Sequence, residues 1–340
     1  MPAPPDITAW HWVGFVSAIL IFLGLDLGVF HRQARVVRFR EALAWTAVWF
    51  TMAMVFAYAF IRPQMGGEYA ILFVTGYITE LSLSMDNVFV IALIFAYFRV
   101  PTEYQHRVLF WGIVGALVMR GAMIGVGVAV INAFTWMLYV FGTFLVYSGI
   151  RMNFTEEEGV QPEKNPVIRL ARRLYPVTTT FESQNFLTVE GGRRALTPLA
   201  LVLLMVETTD LVFAIDSIPA IFAFTTDPFI VFTSNVFAIL GLRSLYFVLA
   251  GAIGYFRYLK VGLCVVLVFI GVKMLLDPHV KPEEAQFKKP LWFQLEIEPN
   301  VSLAVVASII FVSILISVIA ARTERKAGRG HDLGGGALPS

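Results

Sequence analysis

MVETTDLVFAIDSIPAIFAF, residues 205–224, reads as a membrane-spanning segment, yet it carries three carboxylates, Glu207, Asp210 and Asp216. An ionisable side chain in hydrocarbon is costly and is retained mostly where ions or substrates pass. A second stretch repeats the pattern. In YITELSLSMDNVFVIALIF, residues 77–95, Glu80 and Asp86 stand among apolar neighbours, with Asn87 beside them. Setting Asp86 against Asp216 pairs Asn87 with Ser217 and, without a gap, Glu80 with Asp210.

The rest of the chain has the same apolar character. Of its 340 residues, 58% are hydrophobic and 15% charged, where a soluble domain carries about a quarter charged residues. Mean hydropathy is +0.73. The apolar residues come in blocks, which excludes a soluble enzyme, a nucleic-acid binder and a disulfide-stapled secreted domain. The single cysteine, Cys264, cannot form an internal disulfide. Nine apolar stretches are expected to span a bilayer: 10–30, 41–61, 69–98, 108–130, 134–150, 198–223, 229–251, 261–276 and 301–321. The fifth and eighth fall at the short end of what can cross. No Lys or Arg precedes the first span, so neither a cleavable signal nor a transit peptide is expected.

The basic residues set the orientation. Arg32, Arg35, Arg38 and Arg40 follow the first span, Arg99 and Arg107 the third, and Arg151, Lys164, Arg169, Arg172, Arg173, Arg193 and Arg194 the fifth. Arg257 and Lys260 follow the seventh, and Arg322, Arg325, Lys326 and Arg329 the ninth. The opposite side has only Arg62, Lys281, Lys288 and Lys289. Positive charge stays in the cytoplasm, which puts the N-terminus outside and the C-terminus inside.

Arg120 lies in the fourth span, Arg243 in the seventh and Lys273 in the eighth, while Asp26 sits near the cytoplasmic end of the first. Two arginines cannot neutralise the acids at 80, 86, 207, 210 and 216. Protonation or a bound cation must make up the difference, unless the acids serve only a buried structural network. The repeat favours the cation. Beyond the acids, Arg120 in VMRGA matches Arg243 in GLRSL, and SGIRM (148–152) matches IGVKM (270–274). Repeat one then covers 69–151 and repeat two 198–276, joined by a cytoplasmic loop at 151–197 and flanked by helices at 10–30, 41–61 and 301–321. A unit of three spans repeated once is inverted. The expected fold is thus an all-α polytopic membrane protein with a 3+3 inverted repeat, whose site lies between the repeats.

Helical geometry puts Glu80, Ser84 and Asn87 on one face, and Glu207, Asp210 and Ser217 on another, with Asp86 and Asp216 off those faces. The acids converge only if two helices pack together or break locally. Pro219 supplies a break that frees carbonyls as ligands, or simply a kink. Carboxylate, amide and hydroxyl oxygens suit Mg²⁺, Ca²⁺ or Mn²⁺. The metal ligands expected are Glu80, Asp86, Glu207, Asp210 and Asp216, supported by Asn87, Ser217, Arg120, Arg243 and Asp26. Met85 and Met205 flank the acids as soft donors or packing groups. In the 151–197 loop, NPVIRLARRLYPV reads as a surface amphipathic helix or a solvated connector, and residues 326–340 as a disordered glycine-rich tail.

ELSLSMDN (80–87) and ETTDLVFAIDSIPA (207–220), with DLGVF (26–30) and RALTP (194–198), resemble the TerC family of integral membrane proteins. The resemblance covers most of the chain. It implies manganese export across the bacterial inner membrane with the intramembrane acids as the metal site, and links to tellurite resistance and alkaline-pH response. Plant relatives are associated with thylakoid assembly.

The reading that emerges is a secondary transporter of Mn²⁺, with the ion as cargo, no permanently bound cofactor, and protons as the coupling ion. Its partners are the bilayer, the metal and protons. No Walker motif, HExxH or Ser/His pair points to an enzyme. The alternatives are a membrane scaffold or assembly factor acting through 151–197, or an exporter of another small cation.

Overall fold

The computed structural model describes residues 7–25, 39–154, 162–178, 180–181, 185–190, 192–250, 259–277, 295 and 297–332. The apolar runs form helices: α1 (Ala9–Leu25), α2 (Phe39–Val55), α3 (Arg62–Met65), α4 (Gly67–Tyr97), α5 (Thr102–Ala133), α6 (Met137–Phe154), α7 (Pro166–Leu174), α8 (Pro198–Phe222), α9 (Pro228–Ala250), α10 (Leu259–Leu276) and α11 (Pro299–Asp332). A π-helical segment, Phe56–Ile61, joins α2 to α3.

Helix starts are written in the sequence as a capping side chain followed by proline. Asn165 accepts from the Val167 and Ile168 amides at 2.9 and 3.3 Å. Thr197 accepts from the Ala200 amide at 3.4 Å, and Asp227 from the Phe229 and Ile230 amides at 2.9 and 3.0 Å. Each cap satisfies amides that lack an intrahelical partner, and the proline behind it has no amide to satisfy.

Among the described residues, six segments are long and apolar enough to cross a membrane: Phe39–Met65, α4, α5, α8, Pro228–Leu249 and Pro299–Ala320. The sequence predicts nine. The other three are helical at or near the expected places, but α1, α6 and α10 have 17, 18 and 18 residues. At 1.5 Å per residue, these reach slightly less than the roughly 30 Å of hydrocarbon.

The 151–197 region departs from a featureless loop. It holds a 3₁₀ turn at Pro162–Lys164, α7, and a hairpin of β1 (Leu187–Glu190) and β2 (Arg193–Leu196), with Leu187 opposite Leu196. Gly192 takes φ 77°, open to glycine, at the hairpin turn. The all-α expectation therefore applies to the membrane part. At the other end, α11 continues to Asp332 through residues expected in the tail, and 333–340 lie outside the described residues.

Packing places the apolar stretch of α9 at the centre, 89% buried, and that of α11 at the periphery, 11% buried. Helix α4 packs along α9, α5 along α8, and α6 along α10, while α4 also meets α8 and α5 meets α9. Two buried apolar clusters result, one around Phe73, Ile221 and Phe237, the other around Ile94, Val108 and Val202.

Candidate functional site: carboxylates between α4, α5 and α8

The acid-bearing helices are continuous. Helix α4 runs unbroken past Glu80 and Asp86, and α8 passes through Pro219 and ends at Phe222. The local break is not formed, so the ligand groups available here are side chains. Convergence comes from packing of α4 on α8.

At the centre is Arg120, 2% exposed, on α5. Its Nε and Nη2 donate to the two carboxylate oxygens of Asp210 at 3.1 and 2.8 Å. Nη1 donates to Glu80 Oε1 and to Ser217 Oγ, the latter at 3.4 Å. Asn87 Nδ2 donates to Asp210 Oδ1 at 3.4 Å, and Ser84 Oγ to Glu80 Oε1 at 3.4 Å. One guanidinium thus bridges Glu80 and Asp210, the two acids that match in the sequence alignment of the two stretches. A planar fork that binds a carboxylate bidentately suits arginine and not lysine. The Glu80–Ser84–Asn87 face read from the sequence is buried.

The other matched pair forms a separate feature. Asp86 and Asp216, with Asn87 and Ser217, line one cavity of about 20 Å³ together with Met152, Leu83, Phe213 and Leu263. That is room for about one water-sized particle. Ser148 Oγ on α6 donates to Asp216 Oδ1 at 2.9 Å. Asn87 is 4% exposed and its Oδ1 has no hydrogen-bond partner; neither has Glu80 Oε2, in a residue with no exposed surface. Buried acceptors without donors are costly, and each would be satisfied by a water or cation beside it, or at Glu80 by a proton.

Glu207 shares neither the Arg120 salt bridges nor the cavity lining. The carboxylate of Glu207 sits against Gly115 on α5, in space that any β-carbon at 115 would occupy. Arg243 lies half-buried on α9, and Asp26 falls outside the described residues. Among the described residues, no three His, Cys, Asp or Glu side chains form a metal-binding group. The five acids resolve into a salt-bridged pair, a cavity pair and Glu207.

Two residues at this site were not among the expected ligands: Met152 lines the cavity, and Ser148, outside its lining, hydrogen-bonds Asp216. Ser148 and Met152 stand four residues apart on α6, hence on one face, in the SGIRM stretch whose sequence matches IGVKM (270–274). Met205 is engaged elsewhere, accepting from Asn165 Nδ2 at 3.3 Å, and Met85 packs against the second apolar cluster. Lys273 is buried on α10, donates to Ala223 O at the C-terminus of α8 at 2.8 Å, and lies 5.0 Å from the Phe224 ring centre. A cation there complements the helix dipole.

Apolar helices of crossing length, with carboxylates and an arginine buried between them, define a polytopic integral membrane protein. The chain belongs to the TerC family of integral membrane proteins, whose model matches residues 65–325. It is 50% identical over 311 residues to an uncharacterised membrane protein of Myxococcus xanthus, covering 92% of each chain. It is 45% identical over 273 residues to the "Putative membrane-bound redox modulator Alx" of Escherichia coli (strain K12), covering 78% of this chain and 85% of that one. A membrane protein of Rickettsia bellii is 36% identical over 308 residues, covering 91% and 97%. No solved structure matches the chain.

Proposed function

We propose that this protein exports a divalent cation, Mn²⁺, across the bacterial inner membrane. The observation that carries the reading is the small, half-buried cavity lined by Asp86 and Asp216, the matched acids of the two halves, with Asn87 and Ser217 beside them. Two carboxylates, an amide oxygen and a hydroxyl suit a hard or borderline divalent ion, and the thioether of Met152 tilts the set toward a transition metal. Glu80, Asp210 and Arg120 are the charged scaffold behind the cavity, and Asp86 and Asp216 are the carboxylates that line it.

The inverted repeat is part of this reading, and the packing supports it. Exchanging α4 with α8, α5 with α9 and α6 with α10 maps the α4–α9 contact onto α5–α8 and the α6–α10 contact onto itself. Residue-level contacts follow the same exchange. A β-carbon on Gly149 would lie 3.0 Å from the Cys264 carbonyl, and one on its match, Gly271, 2.7 Å from the Gly142 carbonyl. On this reading α1, α6 and α10 also cross, making nine spans, with the N-terminus outside and the C-terminus in the cytoplasm. The short helices need the bilayer to thin slightly around them.

Release of the metal to one side and uptake of protons by the freed carboxylates would complete a cycle, so the mechanism is cation–proton exchange without ATP. Efflux of radiolabelled Mn²⁺ from inverted or reconstituted vesicles under an imposed proton gradient tests it. Asp86→Asn and Asp216→Asn should each abolish efflux while the protein still inserts. Unchanged efflux in both variants would rule the reading out.

A further inference from the structure

Helix α7, in the segment between the two halves, is amphipathic in a way its packing does not use up. At about 100° per residue, Arg169, Arg172 and Arg173 share an arc of roughly 100°, and Val167, Ile168, Leu170, Ala171 and Leu174 take the rest. The apolar arc is itself divided. Ile168 is fully buried where α7 meets α8 and Ala171 is half-buried, whereas Leu170 and Leu174 are 56% and 64% exposed. The three arginines are exposed as well.

The helix is held in this attitude. Asn165 caps it and also donates to Met205 on α8. Met205 lies about 10 Å along α8 from Pro198, so α7 runs beside a membrane-crossing helix close to that helix's N-terminal end. Lying flat at a membrane interface, such a helix would meet protein on one flank, acyl chains beneath and headgroups above. Ile168, then Leu170 and Leu174, then the arginines suit those three surroundings in turn.

We infer that α7 is an anionic-phospholipid binding site: Leu170 and Leu174 enter the acyl-chain boundary and Arg169, Arg172 and Arg173 hold phosphate headgroups. The inference depends only on the chain spanning a bilayer, not on the cation reading. Charge complementarity selects the ligand. Each arginine near an anionic surface adds about fivefold in binding, so the three together give roughly a hundredfold preference over zwitterionic lipid.

The test uses the full chain with Cys264, the one cysteine, replaced (Cys264→Ala) and a nitroxide label attached through Leu170→Cys, Leu174→Cys or Arg172→Cys. The labelled proteins are reconstituted in phosphatidylcholine vesicles with or without phosphatidylglycerol. Labels at 170 and 174 should be accessible to oxygen and shielded from a water-soluble nickel chelate, with the reverse at 172. Phosphatidylglycerol retained through purification should fall toward background in the Arg169→Gln/Arg172→Gln/Arg173→Gln variant, whose thermal melt should match the parent because these side chains are exposed. Nickel access at 170 equal to that at 172 would overturn the inference, since the apolar face would then stand in water and be free for a protein partner. Immersed labels with unchanged phosphatidylglycerol retention in the triple variant would overturn it too.

Discussion

Arg120 on α5 grips Asp210 on α8 through two N–H···O bonds of 2.8 and 3.1 Å, while the same guanidinium reaches Glu80 on α4. Three helices are tied by one buried cation. Arg120→Gln would leave two carboxylates buried without their partner, a loss of ~3–5 kcal/mol. Thermal unfolding in detergent should show it as a large drop in midpoint. Arg120→Lys should recover only part, because an ammonium cannot make the fork. A melt unchanged by either substitution would contradict this account.

Ser148 fixes one oxygen of Asp216 at 2.9 Å. Losing that bond frees the carboxylate to rotate out of the cavity. Ser148→Ala should raise the half-saturating Mn²⁺ concentration roughly tenfold, equivalent to ~1.4 kcal/mol. The maximal rate should change little. Flux measured against Mn²⁺ concentration separates the two effects.

Met152 is the soft donor among the cavity residues, against oxygens elsewhere. Met152→Leu keeps the volume and removes the sulfur. Competition experiments with Mg²⁺ and Ca²⁺ should then show a several-fold weaker preference for Mn²⁺. An unaltered competition profile would mean that the thioether only packs.

Glycine at 115 leaves room for the Glu207 carboxylate between α5 and α8. A methyl group there meets the far end of the flexible Glu207 side chain, which must swing aside, so Gly115→Ala should cost little, at most ~1 kcal/mol. Adding Glu207→Ala should restore most of that loss, and the four melting midpoints of the double-mutant cycle read the coupling directly.

The membrane helices were legible because hydrocarbon imposes its length on the sequence: α4 and α8 end within two residues of the apolar runs at 69–98 and 198–223. Spacing also put Glu80, Ser84 and Asn87 on one face, and the structure buries that face. How the acids divide was not legible. Composition treats the five as one negative pool, whereas Arg120 takes two of them and the α4–α8 packing pairs Asp86 with Asp216 around a cavity. Ser148 was hidden for a similar reason, since a serine in an apolar helix acquires a role only through what faces it. Pro219 misled in the other direction. Three residues from its helix end, it leaves too little helix beyond it to unwind. The hairpin at 187–196 shows no long apolar alternation, only four-residue strands around a glycine turn.

The seam between α6 and α10 is made of backbone laid on backbone, with Gly142, Gly149 and Gly271 each facing an opposing carbonyl or side chain at 3.1 Å or less from where a β-carbon would stand. What is a close approach for the chain is a closed alphabet for its gene. Saturation mutagenesis read by selection should return tolerant positions along the lipid-facing side of α6, and glycine as the sole survivor at 149 and 271.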